Sequence, residues 1–526
     1  MKEEILRIVK HPITWVFILA FGVRLYACLA TAIVNPDGLI YIYQARALYF
    51  HQWSEILNCR MDYLSILPPM ISGAFFLFKD WVIAARFISL IFGFGTLLPL
   101  YFLLKRFFDQ RLVTLTLLVY AFIPALAERS ADIIRGPIYW FFLSWAFLMV
   151  VRYLDDRKSI NFNLNLFLSC MLFIIAAWAR IEASFFLFIT FIYMIFTSKG
   201  HRIKNLLSFS APILVLSVIG SIIIILLNLP LIKILRLDMP ISVLSGFSTD
   251  YNTIRVVVDE LAKTQPNIKV NRFLEQASDF VWIVPLGPML DTLAEKFFYP
   301  YVLIFFAGFC GLQKRIQEDR RIIYFLFLCI SVFFMLYIFT LSRWYMEDRF
   351  LNNLILPAVL FVGFGIDNLY RFFRKKFDLQ TKTAIIIILT VILGFGLGKN
   401  LKPRYAEKKI FPQMAREIIQ RKSPGETVRI AAGPSNAYNW IFFYANLDVP
   451  AALCDKHMLF PIPESYEQFL SDMKHQNIRY VLWSQKSWPQ EQFNLMNSSF
   501  QNDFNVIGKW DYDEGKKTFL LLSRKF

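Results

Sequence analysis

The chain alternates long apolar runs with short polar loops. Runs of roughly 15 to 22 residues, near the length that crosses about 30 Å of hydrocarbon, lie at about 13–34, 82–104, 112–127, 137–151, 164–178, 183–197, 206–228, 299–312, 322–341, 350–367 and 383–398. The pattern predicts a mainly α, polytopic membrane bundle of about eleven transmembrane helices. The run at 112–127 and the two flanking Arg180 are short, which predicts helices that stop within the membrane around a cavity. The first run is long and has no small-residue cleavage site after it, so it reads as a retained anchor.

Three stretches lie outside these runs. In the first, 35–81, Pro36 ends the first span and Gly38 allows a tight turn. Aromatic and aliphatic residues then follow at helical spacing, predicting an interfacial helix that holds Asp37 at the membrane surface. Leu64 to Phe78, interrupted by prolines, reads as a second interfacial segment. The second stretch, 229–298, has a helical segment at Thr253 to Thr264, a break at Gln265-Pro266-Asn267 and an apolar turn over Val284 to Pro288, and suits a lid or flap. After residue 400 the pattern changes. Helices at 412–421, 439–445, 464–476 and 490–500 alternate with strands at 427–432, 449–453, 479–484, 506–510 and 518–522, predicting a soluble C-terminal α/β domain. The expected division is a membrane domain over 1–399 and an extracytoplasmic domain over 400–526. Ala431 to Ser435 follows a strand but lacks both dinucleotide-binding and Walker glycine patterns.

Composition agrees with the pattern: 57% of the 526 residues are hydrophobic and only 18% charged, too apolar for a soluble globular protein. The net charge of +17 raises the question of nucleic acid, but the basic residues alternate by loop. Lys2, Arg7 and Lys10 precede the first span; Lys105, Arg106 and Arg111 follow the second; Arg152, Arg157 and Lys158 follow the fourth; Lys199, Arg202 and Lys204 follow the sixth. Lys314, Arg315, Arg320 and Arg321 follow the eighth, and Arg371, Arg374, Lys375, Lys376 and Lys382 the tenth. The positive-inside rule makes these loops cytoplasmic, placing Asp37 and everything after the last span outside a cytoplasmic membrane. The charge therefore reports a bilayer and excludes nucleic acid as partner. Cys28, Cys170, Cys310 and Cys329 fall within spans; only Cys59 and Cys454 face outside, either paired or as free thiols. The five histidines are scattered, and no Cys/His cluster has zinc spacing.

Charged residues collect at the outer face: Asp37 and Asp62 in the first loop, Glu128, Asp132 and Arg135 between the third and fourth spans, Arg180 and Glu182 between the fifth and sixth, and Arg343, Arg349 and neighbouring Tyr345 between the ninth and tenth. Any one pair reads as a local ion pair steadying a turn. Together, on one face of an apolar bundle, they suit chemistry: carboxylates serve as a general base and arginine forks bind phosphate. Asp37, Asp62, Glu128 and Asp132 allow a divalent metal, but their spacing requires none, and no cofactor is required.

Several short motifs resemble the multispanning GT-C glycosyltransferases, in particular the protein O-mannosyltransferases and the aminoarabinose transferases of lipid A. They are Pro36-Asp37-Gly38 with Tyr41 or Tyr43 and Ala45, Leu67-Pro68-Pro69, Ala84 to Gly93, Leu103 to Phe108, Ser130 to Pro137, and Ala179 to Ala183. The resemblance covers the first 200 residues or so; beyond them only the span pattern, the Arg343 to Arg349 loop and the C-terminal domain agree. It implies that Asp37 is the first-loop acid, a catalytic base or acceptor-orienting group. It also implies a polyprenyl-phosphate sugar as donor, a membrane-lipid setting and a glycan, lipid or protein hydroxyl as acceptor. One position departs: related transferases often carry Lys or His directly before the paired prolines, and here that residue is Leu67. Donor phosphate recognition then falls to Arg135, Arg180, Arg343 and Arg349, while Arg86 pairs structurally with the first loop. The expected activity is an inverting hexosyl- or pentosyltransferase, needing one base for the acceptor proton and fixed positive charge for the leaving phosphate. The alternatives are a lipid-sugar transporter or flippase, which would more often show repeated halves, and a non-catalytic cell-envelope assembly protein.

Overall fold

The computed structural model describes residues 11–155, 163–197, 202–227, 238–433, 436–489, 493–496, 500–512 and 517–525. Lys2, Arg7, Lys10, Arg157, Lys158, Lys199, part of the 229–298 loop and most of the helix expected at 490–500 lie outside the described residues.

Among the described residues, seven helices are long and apolar enough to cross a membrane: Pro12–Ala30, Trp81–Leu104, Gly136–Asp155, Arg202–Gly220, Ile322–Arg343, Asp348–Phe377 and Thr381–Asn400. The protein is an integral membrane protein. The other four expected spans fall on Gln110–Phe122 (13 residues), Leu164–Ala179 (16), Ala183–Thr197 (15) and Tyr299–Ala307 (9). At a rise of 1.5 Å per residue even the longest of these covers only about 24 Å. Leu164–Ala179 stops because Arg180 takes an extended conformation, φ −145° and ψ 125°, and the chain turns before Ala183.

The chain forms two compact units. The first takes in Met1–Arg24, Phe92–Glu128 and Gly136–Leu401. Its central helix, Asp348–Phe377, is buried over 94% of its apolar window. Close approach is bought with glycine: a Cβ at Gly365 would run into the Ile304 carbonyl of Tyr299–Ala307. Lipid offers no hydrophobic drive between helices, so packing contact of this kind holds them together. Several loops expected to be cytoplasmic converge at one end of this unit. There Arg106 and Arg321 share Asp155, and Arg315 pairs with Asp367 at 2.7 Å. The second-loop segment Thr253 to Thr264 is the last part of Asp238–Thr264. Asn267 then caps Ile268–Asp279 by accepting from the Lys269 amide at 3.0 Å. The turn expected over Val284 to Pro288 is shorter than that, because Leu286–Phe297 already begins inside it. Pro288 is tolerated there, where the first-turn amides have no helical partner. Cys28, Cys170 and Cys329 are buried as expected of span residues, but Cys310 sits exposed beyond the end of Tyr299–Ala307.

The second unit takes in Leu25–Ile91, Arg129–Arg135 and Lys402–Phe526. Its sheet runs β1 (Ile430–Ala432), β2 (Tyr480–Ser484), β4 (Lys517–Arg524), β3 (Phe504–Tyr512), with β1 parallel to β2 and the other pairs antiparallel. Phe469, Met473, Val481, Trp488 and Leu522 share its core. The strand expected at Val449 to Leu453 is absent. Pro450 has no amide hydrogen to give a ladder, and its neighbours are engaged elsewhere: the Val449 carbonyl accepts from Arg46, and the Ala452 amide donates to Gln52 Oε1 at 2.7 Å.

Candidate functional site

In the second unit, the helix Pro36–Tyr49 begins with Asn35 at its N-cap and Pro36 in its first turn. Pro36 fixes φ where no amide partner is needed, and the positive end of the helix dipole favours a carboxylate at Asp37. Asp37 is half-buried and makes no hydrogen bond or ion pair among the described residues. The Asn35 side chain accepts from the Ile133 amide at 2.8 Å and donates to the Ile133 carbonyl at 3.3 Å. That exchange lays 129–135 across the start of the helix. Gly38 makes the fit possible, since a Cβ there would lie 2.8 Å from Asn35 Oδ1 and 2.9 Å from Ile133 Cβ.

The segment so placed carries Arg135. Its half-buried guanidinium lies over the rings of Tyr41, at 5.7 Å, and Tyr63, at 5.1 Å. No carboxylate pairs with it among the described residues. Aromatic faces hold the flat side of a guanidinium and leave its edge N–H groups for an anion. Asp132 has another role. It is buried and accepts from both Arg404 nitrogens, at 3.1 and 3.2 Å, with Arg129 at 3.8 Å. Arg86 donates to the carbonyls of Cys28, Thr31 and Ile33 at 3.0 to 3.2 Å, fastening the end of the first span. Asp62 is exposed. Asp37, Asp62 and Asp132 do not gather into a metal-sized cluster among the described residues.

Sequence reasoning missed what holds the turn from the other side. Residues of the C-terminal domain grip the turn itself: Tyr444 Oη accepts from the Val34 amide at 2.8 Å, and Trp440 Nε1 donates to the Val34 carbonyl at 2.8 Å. Arg46, 4% exposed, donates to the carbonyls of Asn446 and Val449 at the far end of the helix. Burial without a contacting carboxylate pulls its pKa down to about 10. Cys59 and Cys454 are joined in a disulfide with Cα atoms 5.7 Å apart. Beside it Arg60 pairs with Asp455 at 2.8 Å, and burial raises the Asp455 pKa against the pull of Arg60.

The other candidates lie in the first unit. Arg180 pairs with Glu182 at 2.5 Å and lies over the rings of Tyr139 and Phe350. Arg349 lies over the same Phe350 ring, so these two arginines are brought together. Glu347 takes Arg349 and, at 3.7 Å, Arg343, while Tyr345 Oη donates to it at 3.2 Å. Tyr139 Oη donates to buried Asn353, whose Nδ2 has no hydrogen-bond partner among the described residues. Glu128 is half-buried at the end of Pro124–Arg129. Two arginines on one carboxylate leave a net positive charge, which suits an anion.

No protein-family model matches the chain, and neither does any curated protein sequence. Solved structures do. ArnT from Cupriavidus metallidurans bound to undecaprenyl phosphate superposes with a TM-score of 0.57 at 10% identity, over 97% of both chains. Its apo form gives 0.55 at 10% identity over the same shares. The Archaeoglobus fulgidus oligosaccharyltransferase, in complex with Zn and sulfate, gives 0.54 at 13% identity, over 89% of this chain and 67% of that one. The chain has a GT-C fold. Leu67 is fully buried at the start of Leu67–Phe78. The position directly before the paired prolines thus carries a buried apolar side chain.

Proposed function

We propose that the protein is an inverting membrane glycosyltransferase. It moves a sugar from a polyprenyl-phosphate donor to a hydroxyl of a glycan, lipid or protein on the outer side of the cytoplasmic membrane. The observation that carries this reading is the pair in the second unit: a half-buried Asp37 carboxylate with no ion pair among the described residues, and Arg135 held by aromatic rings. The GT-C fold, and an ArnT crystallised with undecaprenyl phosphate, support it.

Asp37 takes the acceptor O–H proton as the oxygen attacks the anomeric carbon. The carbon–oxygen bond to phosphate breaks and polyprenyl phosphate leaves with the electron pair. Direct displacement inverts the anomeric centre. Arginine N–H groups fixed in a partly dry site stabilise the leaving phosphate without reorganising. Arg135 is the candidate in the second unit; Arg180, Arg343 and Arg349, with Tyr345, are those in the first.

The reading is tested in proteoliposomes by following sugar transfer from synthetic polyprenyl-phosphate sugars, and in a deletion strain by looking for accumulated donor and an acceptor lacking its sugar. Neither transfer nor accumulation would sink it. Arg135→Ala is expected to raise the donor concentration needed for half-maximal transfer about tenfold, the scale of one charge-assisted contact; an unchanged value moves the phosphate site elsewhere. The sidedness has its own check. A cysteine at exposed Ser471 should react with an impermeant maleimide from outside in intact cells, and labelling only after permeabilisation would reverse the orientation.

A further inference from the structure

The C-terminal domain meets the Asp37 helix at both ends, through hydrogen bonds to the turn before it and to Arg46 near its close. At the entry, Tyr444 and Trp440 hold the two backbone groups of Val34. At the exit, Arg46 spends a buried charge on the carbonyls of Asn446 and Val449. An unpaired buried guanidinium is costly, and what it gains here is the register of the helix against that loop. Gln52 then binds the Ala452 amide, and Arg60 binds Asn439 at 3.0 Å and Asp455. Within this row sits the one covalent link, Cys59–Cys454, closing a separation of 395 residues.

We propose that the Cys59–Cys454 disulfide is a positioning tie that sets the Asp37 helix for catalysis, so that a dithiol reductant lowers transfer by releasing it. This rests on the glycosyltransferase reading for its effect on activity, but not for its effect on the helix. The non-covalent contacts are individually modest, and those made to Asn446, Val449 and Ala452 share one segment between the helices Asn436–Ala445 and Asp455–Met458, so any motion of that loop loosens these three together. The disulfide limits that motion. Cys59 and Cys454 are 2% and 4% exposed, and the Asp455 carboxylate lies 4.0 Å from Cys59 Sγ, so an attacking thiolate is hindered and repelled. The tie persists until the loop opens. On reduction, a thiolate of the reductant attacks one sulfur, the other leaves as thiolate and is protonated, and the second reductant thiol resolves the mixed disulfide. Two cysteines and a cyclic reductant disulfide result.

The test uses the full chain in nanodiscs, as wild type oxidised, wild type reduced with dithiothreitol to two additional titratable thiols, and Cys59→Ser/Cys454→Ser. Amide exchange is read over 36–49 and over the sheet, and transfer is read as kcat and donor KM. The expected result is exchange over 36–49 faster by about tenfold in the reduced and double-serine forms, with the sheet unchanged. kcat should fall about tenfold at constant donor KM, since small misplacement of a reacting group costs rate more than binding. Reoxidation should restore only the wild type. Unchanged exchange over 36–49 after verified reduction overturns the proposal; so does faster exchange over the sheet as well, which marks a bond that merely stabilises the domain. If the helix loosens locally but no form transfers sugar, the tie stands and the glycosyltransferase reading falls.

Discussion

Asp37→Asn is expected to lower transfer by about a hundredfold or more while donor binding persists. Asparagine keeps the size of the side chain and one oxygen acceptor, so the first turn of Pro36–Tyr49 has no reason to rearrange. What it loses is the ability to take a proton from the acceptor. Asp37 has no ion pair or hydrogen bond among the described residues, so its replacement orphans no cation and breaks no network. That makes the substitution a clean probe: a fall in kcat with unchanged donor affinity reports chemistry rather than folding. Purified protein in lipid, with a defined donor and acceptor, is the setting in which to measure it. Normal transfer by the Asn variant would reduce Asp37 to a loop carboxylate and remove the base from the mechanism.

The parts of this structure written in local pattern could be read from the chain. The Asp37 helix follows from Pro36, Gly38 and the residues after them, because the turn chemistry and the helical spacing are both local. The seven long apolar helices among the described residues follow from length and hydropathy, and the helices around Arg180 are recognisably short for the same reason. The limits appear wherever a distant partner decides. Val449 to Leu453 looks like a strand, yet Arg46 and Gln52, some 400 residues earlier, take its backbone groups. The span pattern sets Cys59 and Cys454 apart from the four cysteines within apolar runs, but nothing local says that their Cα atoms stand 5.7 Å apart. Among the site candidates, Arg135 and Asp132 stand three residues apart on one loop, and nothing in the sequence says which of them finds an ion-pair partner within the fold. Tyr41 and Tyr63 leave the first available to an anion, while Arg404 neutralises the second. No periodicity carries that difference.

Asp132 therefore gives a prediction of the opposite kind, large in stability and indirect in function. Its carboxylate is 1% exposed and Arg404 14%, so the pair sits in a poorly hydrated place. Asp132→Ala is expected to destabilise the protein by about 3 kcal/mol, since it takes from Arg404 the buried carboxylate that accepts from two of its nitrogens. Asp132→Leu with Arg404→Met should recover much of that loss, because an apolar pair of similar volume owes no desolvation. Thermal unfolding in detergent, compared across wild type, single and double variants, checks both. The 129–135 segment carries Arg135 and rests on Asn35 at the entrance to the Asp37 helix, so the single variant should also weaken donor use in the protein that remains folded. An Asp132→Ala protein as stable as wild type would mean that the Asn35–Ile133 exchange alone holds this segment, and that the ion pair is incidental to the site.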